Sequence, residues 1–352
     1  MADLVDKNVL KSFVPPSALN AENFQELSGK TFVEDVPAGK AIFKEGDSDR
    51  HSVYLVDGQA EISSSKGESK IVISGSEIAK HPLVNQQPRK HTVTAKNDCK
   101  VIRIDSDLLD ILLTWDQLSG IEVDEIQVEE EGVEEDEDSD WMTRILQSKA
   151  FMQLPPANIQ AMFMRMQEVP VKAGDAVIKQ GEDGDYYYII KSGKCKVTRN
   201  SKTGSELTLA TLGNGDAFGE EALLSEAKRN ANIIMTTSGS VMRLSKEDFN
   251  ELLKEPMLNW VTNKEADAMV ANEGAVWIDV RLESEHKNSG IDGSVNIPLF
   301  MLRLKAQSLD PDKKYILYCD SGRRSSACAF LLSERGLHVC CLKGGLVERS
   351  GS

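Results

Sequence analysis

The sequence predicts a multidomain protein of the α+β and α/β classes: two jelly-roll-like β-rolls with flanking helices, then an α/β domain on a parallel sheet. Three observations predict it. A glycine-punctuated pattern occurs twice at an offset of 135 residues, an acidic block separates the two copies, and residues 259–352 alternate short apolar strands with helices. The predicted domains are residues 1–121, a linker at 122–140, residues 141–258 and residues 259–352.

Composition and charge restrict the class of protein. Of a formal net charge of -15, twelve acidic residues lie between Glu122 and Asp140 without Lys or Arg, so the rest is nearly neutral. Such a block stays solvated, and we interpret it as a flexible linker, with a docking site for a basic partner as the alternative. No run of 18 apolar residues occurs, and the first residues are acidic where a signal peptide would be basic. We therefore expect a cytoplasmic protein without membrane contact.

The repeats predict the rolls. VPAGKAIFKEGDSDRHSVYLVDGQ begins at Val36 and VKAGDAVIKQGEDGDYYYIIKSGK at Val171, with the glycines in register. Short β-branched or aromatic runs between Gly and Asp turns are typical of antiparallel strands. Each copy ends in a related helical segment, from Val101 and Val241, at an offset of 140. The second copy has therefore gained five residues within the roll.

The second copy contains FGEEALLSEAKRNA from Phe218, where Glu220 and Arg229 stand nine residues apart. The roll, the segment LGNGDAFGEEALL from Leu212 and this Arg resemble the cyclic-nucleotide-binding domain shared by catabolite activator proteins and protein kinase regulatory subunits. The resemblance implies that the second copy binds a cyclic nucleotide, cAMP or cGMP, with cAMP as our first choice. Asn230 stands where the family usually has Ala, Thr or Ser, so the preferred purine stays open.

The resemblance implies a role for each end of the ligand. Arg229 would neutralise the cyclic phosphate, backbone N–H groups at the helix start would face it, and Glu220 would accept a hydrogen bond from the ribose 2'-hydroxyl. A surface salt bridge between Glu220 and Arg229 is the alternative. The predicted ligand-binding residues are Phe218, Gly219, Glu220, Glu221, Ala222, Arg229, Asn230 and Ala231.

The first copy departs from this pattern. The offset of 140 aligns Arg89 with Arg229 and Lys80 with Glu220. Lys80 cannot accept a hydrogen bond from ribose, and Pro82 removes a backbone donor, so we expect no ordinary cyclic mononucleotide here. The first copy would then be a packing or homodimerisation domain. The alternative is that it binds another anion, such as a cyclic dinucleotide, through Lys80, His81 and Arg89.

The C-terminal segment has strand-like runs AVWIDVR, SVNIPL, YILYC and LHVCCL with helices between them, which indicates a parallel sheet covered on both faces. It resembles a single-domain rhodanese, a sulfurtransferase, through Asp279-Val280-Arg281, GIDGSVNIP from Gly290, CDSGRRS from Cys319 and LKGGL from Leu342. The late Gly-Gly predicts that the closing helix is very short or absent. A sequence with five residues between Cys and Arg would favour a phosphatase, but Ser325 stands at that position.

The loop after YILYC predicts the chemistry. Cys319 lies between a strand and a helix start, so we expect backbone N–H groups and Arg324 to favour its thiolate. The resemblance implies that this thiolate takes sulfur from a donor, forms a persulfide and passes the sulfur to a thiol acceptor. The predicted catalytic residues are Cys319, Asp320, Gly322, Arg323 and Arg324, while Cys328, Cys340 and Cys341 fit inert core thiols. The six cysteines show no paired metal-ligand spacing, so we expect no metal.

Together the two resemblances imply a cyclic-nucleotide sensor, of bacterial type, coupled to a rhodanese sulfurtransferase, and the composition favours a cytoplasmic protein. The alternatives are a signalling scaffold with a vestigial rhodanese and a cyclic-dinucleotide binder. No basic stripe or helix-turn-helix pattern is present, so we expect no nucleic-acid partner. The helical stretch EDFNELLKEPMLNW from Glu247 enters the last domain with only Pro256 to break or kink it. We expect this stretch to transmit ligand binding to the rhodanese.

Overall fold

A computed structural model describes residues 3–65, 69–119, 141–200, 206–226 and 228–349. The predicted linker, residues 122–140, lies outside these ranges. Within the described part of the chain, no helix is long and apolar enough to cross a bilayer.

The first roll consists of two antiparallel sheets, with strand orders β1-β7-β3 and β2-β6-β4-β5. Helices α1 and α2 precede the sheets and α3 follows them. The elements are α1 Lys7–Leu10, a 3₁₀ turn Pro16–Ala18, α2 Ala21–Gly29, β1 Val33–Val36, β2 Ala41–Phe43, β3 His51–Asp57, β4 Gln59–Ser63, β5 Ser69–Ile73, a 3₁₀ turn Ile78–Lys80, β6 Thr92–Ala95, β7 Cys99–Asp105 and α3 Ser106–Ser119.

The second roll repeats this arrangement, with sheets β13-β10-β15-β8 and β12-β11-β14-β9. Its elements are α4 Trp141–Gln147, α5 Lys149–Met152, α6 Pro156–Arg165, β8 Gln167–Val171, β9 Ala176–Ile178, β10 Tyr186–Ser192, β11 Cys195–Asn200, β12 Glu206–Leu212, β13 Ala217–Phe218, α7 Glu220–Ser225, β14 Asn232–Met235, β15 Gly239–Ser245, α8 Lys246–Phe249, a π-helical turn Asn250–Lys254 and α9 Glu255–Met257.

Backbone hydrogen bonds confirm the alignment of the two copies. The turn glycine Gly39 donates to Ala95 O at 2.7 Å, and its counterpart Gly174 donates to Met235 O at 2.8 Å. Both glycines have φ near +80 to +90°, a region that residues with a Cβ rarely adopt. The donors are 135 residues apart and the acceptors 140, so the five extra residues fall between them.

The C-terminal domain has the predicted parallel sheet, in the order β16-β20-β19-β17-β18. Strand β16 was not predicted, because it is two residues long. The closing helix, α14, has four residues, as the late Gly-Gly predicted. The elements are β16 Trp260–Val261, α10 Asn263–Glu273, β17 Val276–Asp279, α11 Glu283–Ser289, β18 Val295–Asn296, a 3₁₀ turn Leu299–Met301, α12 Leu302–Ala306, β19 Lys314–Tyr318, α13 Arg323–Ser333, β20 His338–Leu342 and α14 Gly345–Glu348.

The second roll and the C-terminal domain share one hydrophobic cluster. Phe249, at the end of α8, is fully buried, and its ring centroid lies 5.1 Å from that of Tyr187 and 5.5 Å from that of Phe330 on α13. Helical turns continue to Met257, directly after Pro256, and the chain then enters β16. The connection is therefore packed on both sides.

Replacing Phe330 with Ala should destabilise both the second roll and the C-terminal domain. The lost apolar burial and the cavity left behind predict a decrease of about 3–5 kcal/mol in the free energy of unfolding. Denaturant unfolding of the full chain, followed by Trp fluorescence, measures it. Phe300→Ala is the matched control, since Phe300 lies in the same domain and is 39% exposed. Equal effects of the two substitutions would contradict a shared core.

Candidate functional sites

The first candidate site is the segment 218–231, here called the second cassette. Strand β13 ends at Phe218, whose ring stacks on Tyr188 at 5.2 Å, and α7 begins at Glu220. Between them Gly219 has φ of +91°, and a Cβ there would lie 2.9 Å from Nη1 of Arg229. Only glycine therefore fits beside this guanidinium. Ala222 and Ala231 are buried beneath the cassette.

Arg229 is 4% exposed and held in a fixed position. Its Nη1 donates to Gly219 O at 2.7 Å, and its Nη2 donates to Tyr186 O at 2.7 Å and to Asp185 Oδ1 at 3.1 Å. The carboxylate partner, Asp185, has a side chain that is 63% exposed. The guanidinium is thus positioned by the backbone, and only a well-solvated carboxylate competes for its charge.

The acidic residues of the second cassette face the C-terminal domain. Arg303, on α12, lies with Nη2 3.9 Å from Glu220 Oε1 and contacts Glu221 more closely. Glu221 also accepts a hydrogen bond from Asn230 Nδ2. Glu220 and Arg229 do not form the surface salt bridge considered above, because each has another partner. The eight predicted ligand residues lie together, with an arginine of another domain at their acidic side.

Glu220 also influences a carboxyl group at the end of α13. Burial and the nearby Glu220 carboxylate raise the pKa of Glu334 to about 8, against the opposing effects of Arg335 and Arg303. The Glu334 carboxyl group is therefore largely protonated at neutral pH. The second cassette is in electrostatic contact with the domain that carries Cys319.

The equivalent segment of the first roll, residues 78–89, is here called the first cassette. Gly46 N donates to Arg89 O at 2.8 Å and Gly181 N donates to Arg229 O at 2.8 Å, so the two arginines occupy equivalent places. Arg89 is 1% exposed, stacks over Phe43 at 4.1 Å and pairs with Asp49 at 2.7 Å.

Arg89 and Arg229 differ in the solvent exposure of the carboxylate that pairs with each of them. The side chain of Asp49 is only 27% exposed, so its carboxylate closes the guanidinium off from solvent. Burial lowers the pKa of Arg89, and Asp49 opposes this effect. Lys80 pairs with Glu77 at 2.6 Å, and His81 lines a cavity described below. Lys80, His81 and Arg89 therefore do not converge on one anion site, and burial lowers the pKa of His81.

The second candidate site is the Cys319 loop, residues 319–324. It joins β19 to α13, as predicted, and Gly322, with φ of +100°, starts the helix. The Gly322 N–H donates to Cys319 Sγ at 3.1 Å, and Ser325 Oγ lies 3.7 Å from the same sulfur. Cys319 is fully buried. The loop geometry is as predicted, but the sulfur does not reach solvent in this arrangement.

Arg324 does not hydrogen bond to the sulfur. It is 1% exposed and donates to Glu285 through both Nη atoms at 2.9 and 3.0 Å and to Asp320 at 3.1 Å. Its Nε donates at 3.1 Å to Asp110, a residue of α3 in the first roll. Asp320 in turn accepts from Arg281 at 2.9 Å. The buried cluster contains several carboxylates around two guanidinium groups.

The prediction that the loop favours the Cys319 thiolate is wrong for this arrangement of the domains. Burial raises the pKa of the Cys319 thiol, Asp110 raises it further, and Arg324 opposes them. The sequence could not indicate this outcome because Asp110 is 209 positions away. Cys328 and Cys341 are buried core thiols, as predicted, and burial raises the pKa of each. Cys340, also predicted to be a core thiol, is partly exposed on β20. Arg323 pairs with Glu226 at 2.8 Å.

A cavity of about 550 Å³ lies where the first roll meets the C-terminal domain. The first roll contributes residues of its cassette and of α3, and the C-terminal domain contributes parts of the Cys319 loop, α11 and α14. Its lining residues include Ser52, His81, Asn85, Asp110, Ser321 and Arg324. Within the described residues, no group of three or more His, Cys, Asp or Glu side chains could hold a metal ion.

Sequence reasoning missed several residues at these sites: Asp110, Glu285 and Arg303. Glu285 had a local signal, since it is the third residue of α11 and caps that helix through the Leu282 N–H at 3.0 Å. Asp110 and Arg303 had none, because each acts on a domain other than its own.

Two protein families match this chain. The cyclic nucleotide-binding domain matches residues 33–114 and 168–255, and the rhodanese-like domain matches residues 262–350. A cGMP-dependent protein kinase of Drosophila melanogaster, isozyme 2, is 25% identical over 256 residues, 72% of this chain and 21% of that kinase. The cAMP-dependent protein kinase regulatory subunit of Yarrowia lipolytica is 42% identical over 83 residues, 24% of this chain and 21% of that subunit. The chain spans about a fifth of the length of these relatives.

Solved structures with similarity include protein kinase regulatory subunits and a catabolite activator protein. The regulatory subunit of a cAMP-independent protein kinase A from Trypanosoma brucei is 17% identical, and the match covers 73% of this chain and 92% of that one at a TM-score of 0.31. The Thermus thermophilus catabolite activator protein is 31% identical over 31% of this chain and 51% of that one, at a TM-score of 0.29.

Proposed function

Because this chain consists of two cyclic nucleotide-binding domains followed by a rhodanese-like domain, we propose that it is a cyclic-nucleotide sensor coupled to a sulfurtransferase. In this proposal the second domain binds cAMP or cGMP, and Cys319 of the rhodanese-like domain carries sulfur as a persulfide.

The position of Arg229 is the observation that carries the nucleotide site. Two backbone carbonyls fix the guanidinium next to Gly219, and its one carboxylate partner, Asp185, is largely solvated. A cyclic phosphate can therefore take over the charge of Arg229 at little cost. Glu220 is the acceptor for the ribose hydroxyl, and Arg303 competes for it in the unliganded chain.

Arg229→Ala should remove measurable cyclic-nucleotide binding, while Arg89→Ala should leave it nearly unchanged. Loss of a charge-assisted contact to phosphate costs about 1.5–3 kcal/mol, or roughly tenfold to a hundredfold in affinity. Calorimetric titration of the full chain with cAMP, cGMP and a cyclic dinucleotide measures it. Equal losses from both substitutions would contradict the assignment of the nucleotide site to the second domain. Loss of binding with Arg89→Ala alone would favour a ligand site in the first domain.

The sulfur chemistry starts from the Cys319 thiolate. With thiosulfate as donor, the thiolate attacks the outer sulfur, the S–S bond of thiosulfate breaks, and sulfite leaves with the electron pair. The persulfide that forms is then attacked at its terminal sulfur by a nucleophile such as cyanide or a thiol, and the Cys319 thiolate returns. The Gly322 N–H, 3.1 Å from Sγ, stabilises negative charge on that sulfur.

Cys319→Ser should abolish thiosulfate-to-cyanide transfer while the fold stays intact, and mass spectrometry after thiosulfate treatment should locate the added sulfur on Cys319. Cys328→Ser is the matched control, because Cys328 is equally buried in the same domain but lies on α13. Full activity of the Cys319→Ser variant would contradict the assignment. Inactivity of the wild-type chain with every donor would instead favour the second candidate, a nucleotide-responsive scaffold, which the complete burial of Cys319 supports.

The coupling in this proposal runs through the second cassette itself. Leu223 and Leu224 of α7 lie in one hydrophobic cluster with Phe330 of α13, the helix that follows Cys319. Arg303 adds a polar contact between the domains. A ligand that engages Glu220 must therefore change contacts that the rhodanese-like domain makes.

Arg303→Ala should raise cyclic-nucleotide affinity, since it removes the competitor for Glu220. Lys305→Ala is the control, because Lys305 is an exposed cation on the same helix. A coupling free energy of about 1–3 kcal/mol, typical of linked sites, predicts a change of roughly fivefold or more. Calorimetry measures both variants, with Cys319 free and alkylated. Identical dissociation constants in all four samples would leave a bifunctional chain without communication.

A further inference from the structure

Asp110 belongs to the first cyclic nucleotide-binding domain, yet its carboxylate lies on the Cys319 loop of the rhodanese-like domain. It accepts hydrogen bonds from the Ser321 hydroxyl and from Arg324 Nε, the latter at 3.1 Å. Asp110 is 6% exposed. A charged side chain is almost never buried to this extent unless it is paired.

The two donors that hold Asp110 are those that an anionic sulfur donor would meet on this loop. Glu285 and Asp320 accept three of the five N–H groups of Arg324, one on Nη1 and two on Nη2, and Asp110 accepts the Nε N–H. An oxyanion can replace the Asp110 carboxylate on the same two donors, the Ser321 hydroxyl and Arg324 Nε. Two anions cannot occupy the place together, since like charges within a few ångströms repel strongly at low dielectric.

The interdomain cavity provides the approach to this place. Asp110, Ser321 and Arg324 all line it, and its volume of about 550 Å³ is ample for thiosulfate or a small thiol. The first domain also lines it with neutral polar groups, among them Ser52 and Asn85, whose side chains hydrogen bond to each other. A ligand in this cavity touches both domains next to the loop that carries Cys319.

We propose that Asp110 is a competitor in cis for the oxyanion of the sulfur donor, so that the first domain controls access of anionic substrates to Cys319. This inference rests on the proposed sulfurtransferase function. It gives the first domain a role that needs no cyclic nucleotide of its own. Neutral reagents meet less resistance than anions as long as Asp110 stays on the loop.

The test compares two alkylating reagents that differ in charge. Iodoacetate is anionic and iodoacetamide is neutral, and mass spectrometry of the full chain reports the modification of each cysteine over time. Asp110→Asn removes the charge and keeps the shape. Asp107→Asn is the control on the same helix, since the side chain of Asp107 is 41% exposed and pairs with Arg50 within the first domain.

For Cys319, Asp110→Asn should raise the rate with iodoacetate roughly tenfold more than the rate with iodoacetamide, the change expected from one charge-assisted contact. The kcat/KM for thiosulfate should rise by a similar factor, mainly through KM. Asp107→Asn should change neither value. Equal increases with both reagents would show that α3 only covers the loop sterically, and unchanged rates would show no competition; each would overturn the inference.

The wild-type chain gives a second measurement that needs no variant. The ratio of iodoacetate to iodoacetamide rates should be lower for Cys319 than for Cys340, the partly exposed cysteine of the same domain. Equal ratios would overturn the inference even if Asp110→Asn failed to fold. Absence of sulfur transfer in every sample would contradict the proposed function alone, because the alkylation ratios still report on Asp110.

Discussion

The buried guanidinium of Arg324 is the group on which the arrangement of the domains depends. Burial disfavours its charge, but the carboxylates of Glu285 and Asp110 outweigh burial, and the pKa of Arg324 is raised well above its usual range. Removing one partner from a buried ion pair typically costs about 3–5 kcal/mol. One of these partners belongs to the first domain, so the charge balance inside the rhodanese-like domain is completed by its neighbour.

The two cassettes place equivalent arginines in different electrostatic surroundings. Arg89 and Arg229 occupy equivalent places, and each donates to the backbone carbonyl of the first residue of a strand, His51 of β3 or Tyr186 of β10. The difference is the carboxylate beside them. Asp49 is shielded and Asp185 is well solvated. Since a shielded ion pair exchanges partners less readily than a solvated one, the first roll has kept the arginine for structure.

Sequence reasoning predicted the three folded units, the match of Arg89 to Arg229 and the position of Cys319 at a strand–helix junction. Those features depend on local periodicity, on glycines with positive φ and on an internal repeat, all of which are visible along the chain. It did not predict Asp110 or Arg303 at the sites, and it gave the wrong direction for the pKa of Cys319. These outcomes depend on which surfaces meet, and neither charge pattern nor hydrophobic spacing within one domain records its neighbour's position.

The hydrophobic cluster that joins α7 to α13 also limits how such a chain can evolve. Leu223 and Leu224 occupy the interior together with Phe330, so the outer face of this cassette helix is no longer a surface. Exchange of the rhodanese-like domain for another effector would expose that face unless the newcomer brought a complementary apolar helix. Recombination that separated the second roll from the rhodanese-like domain would therefore leave an apolar helix face in contact with solvent.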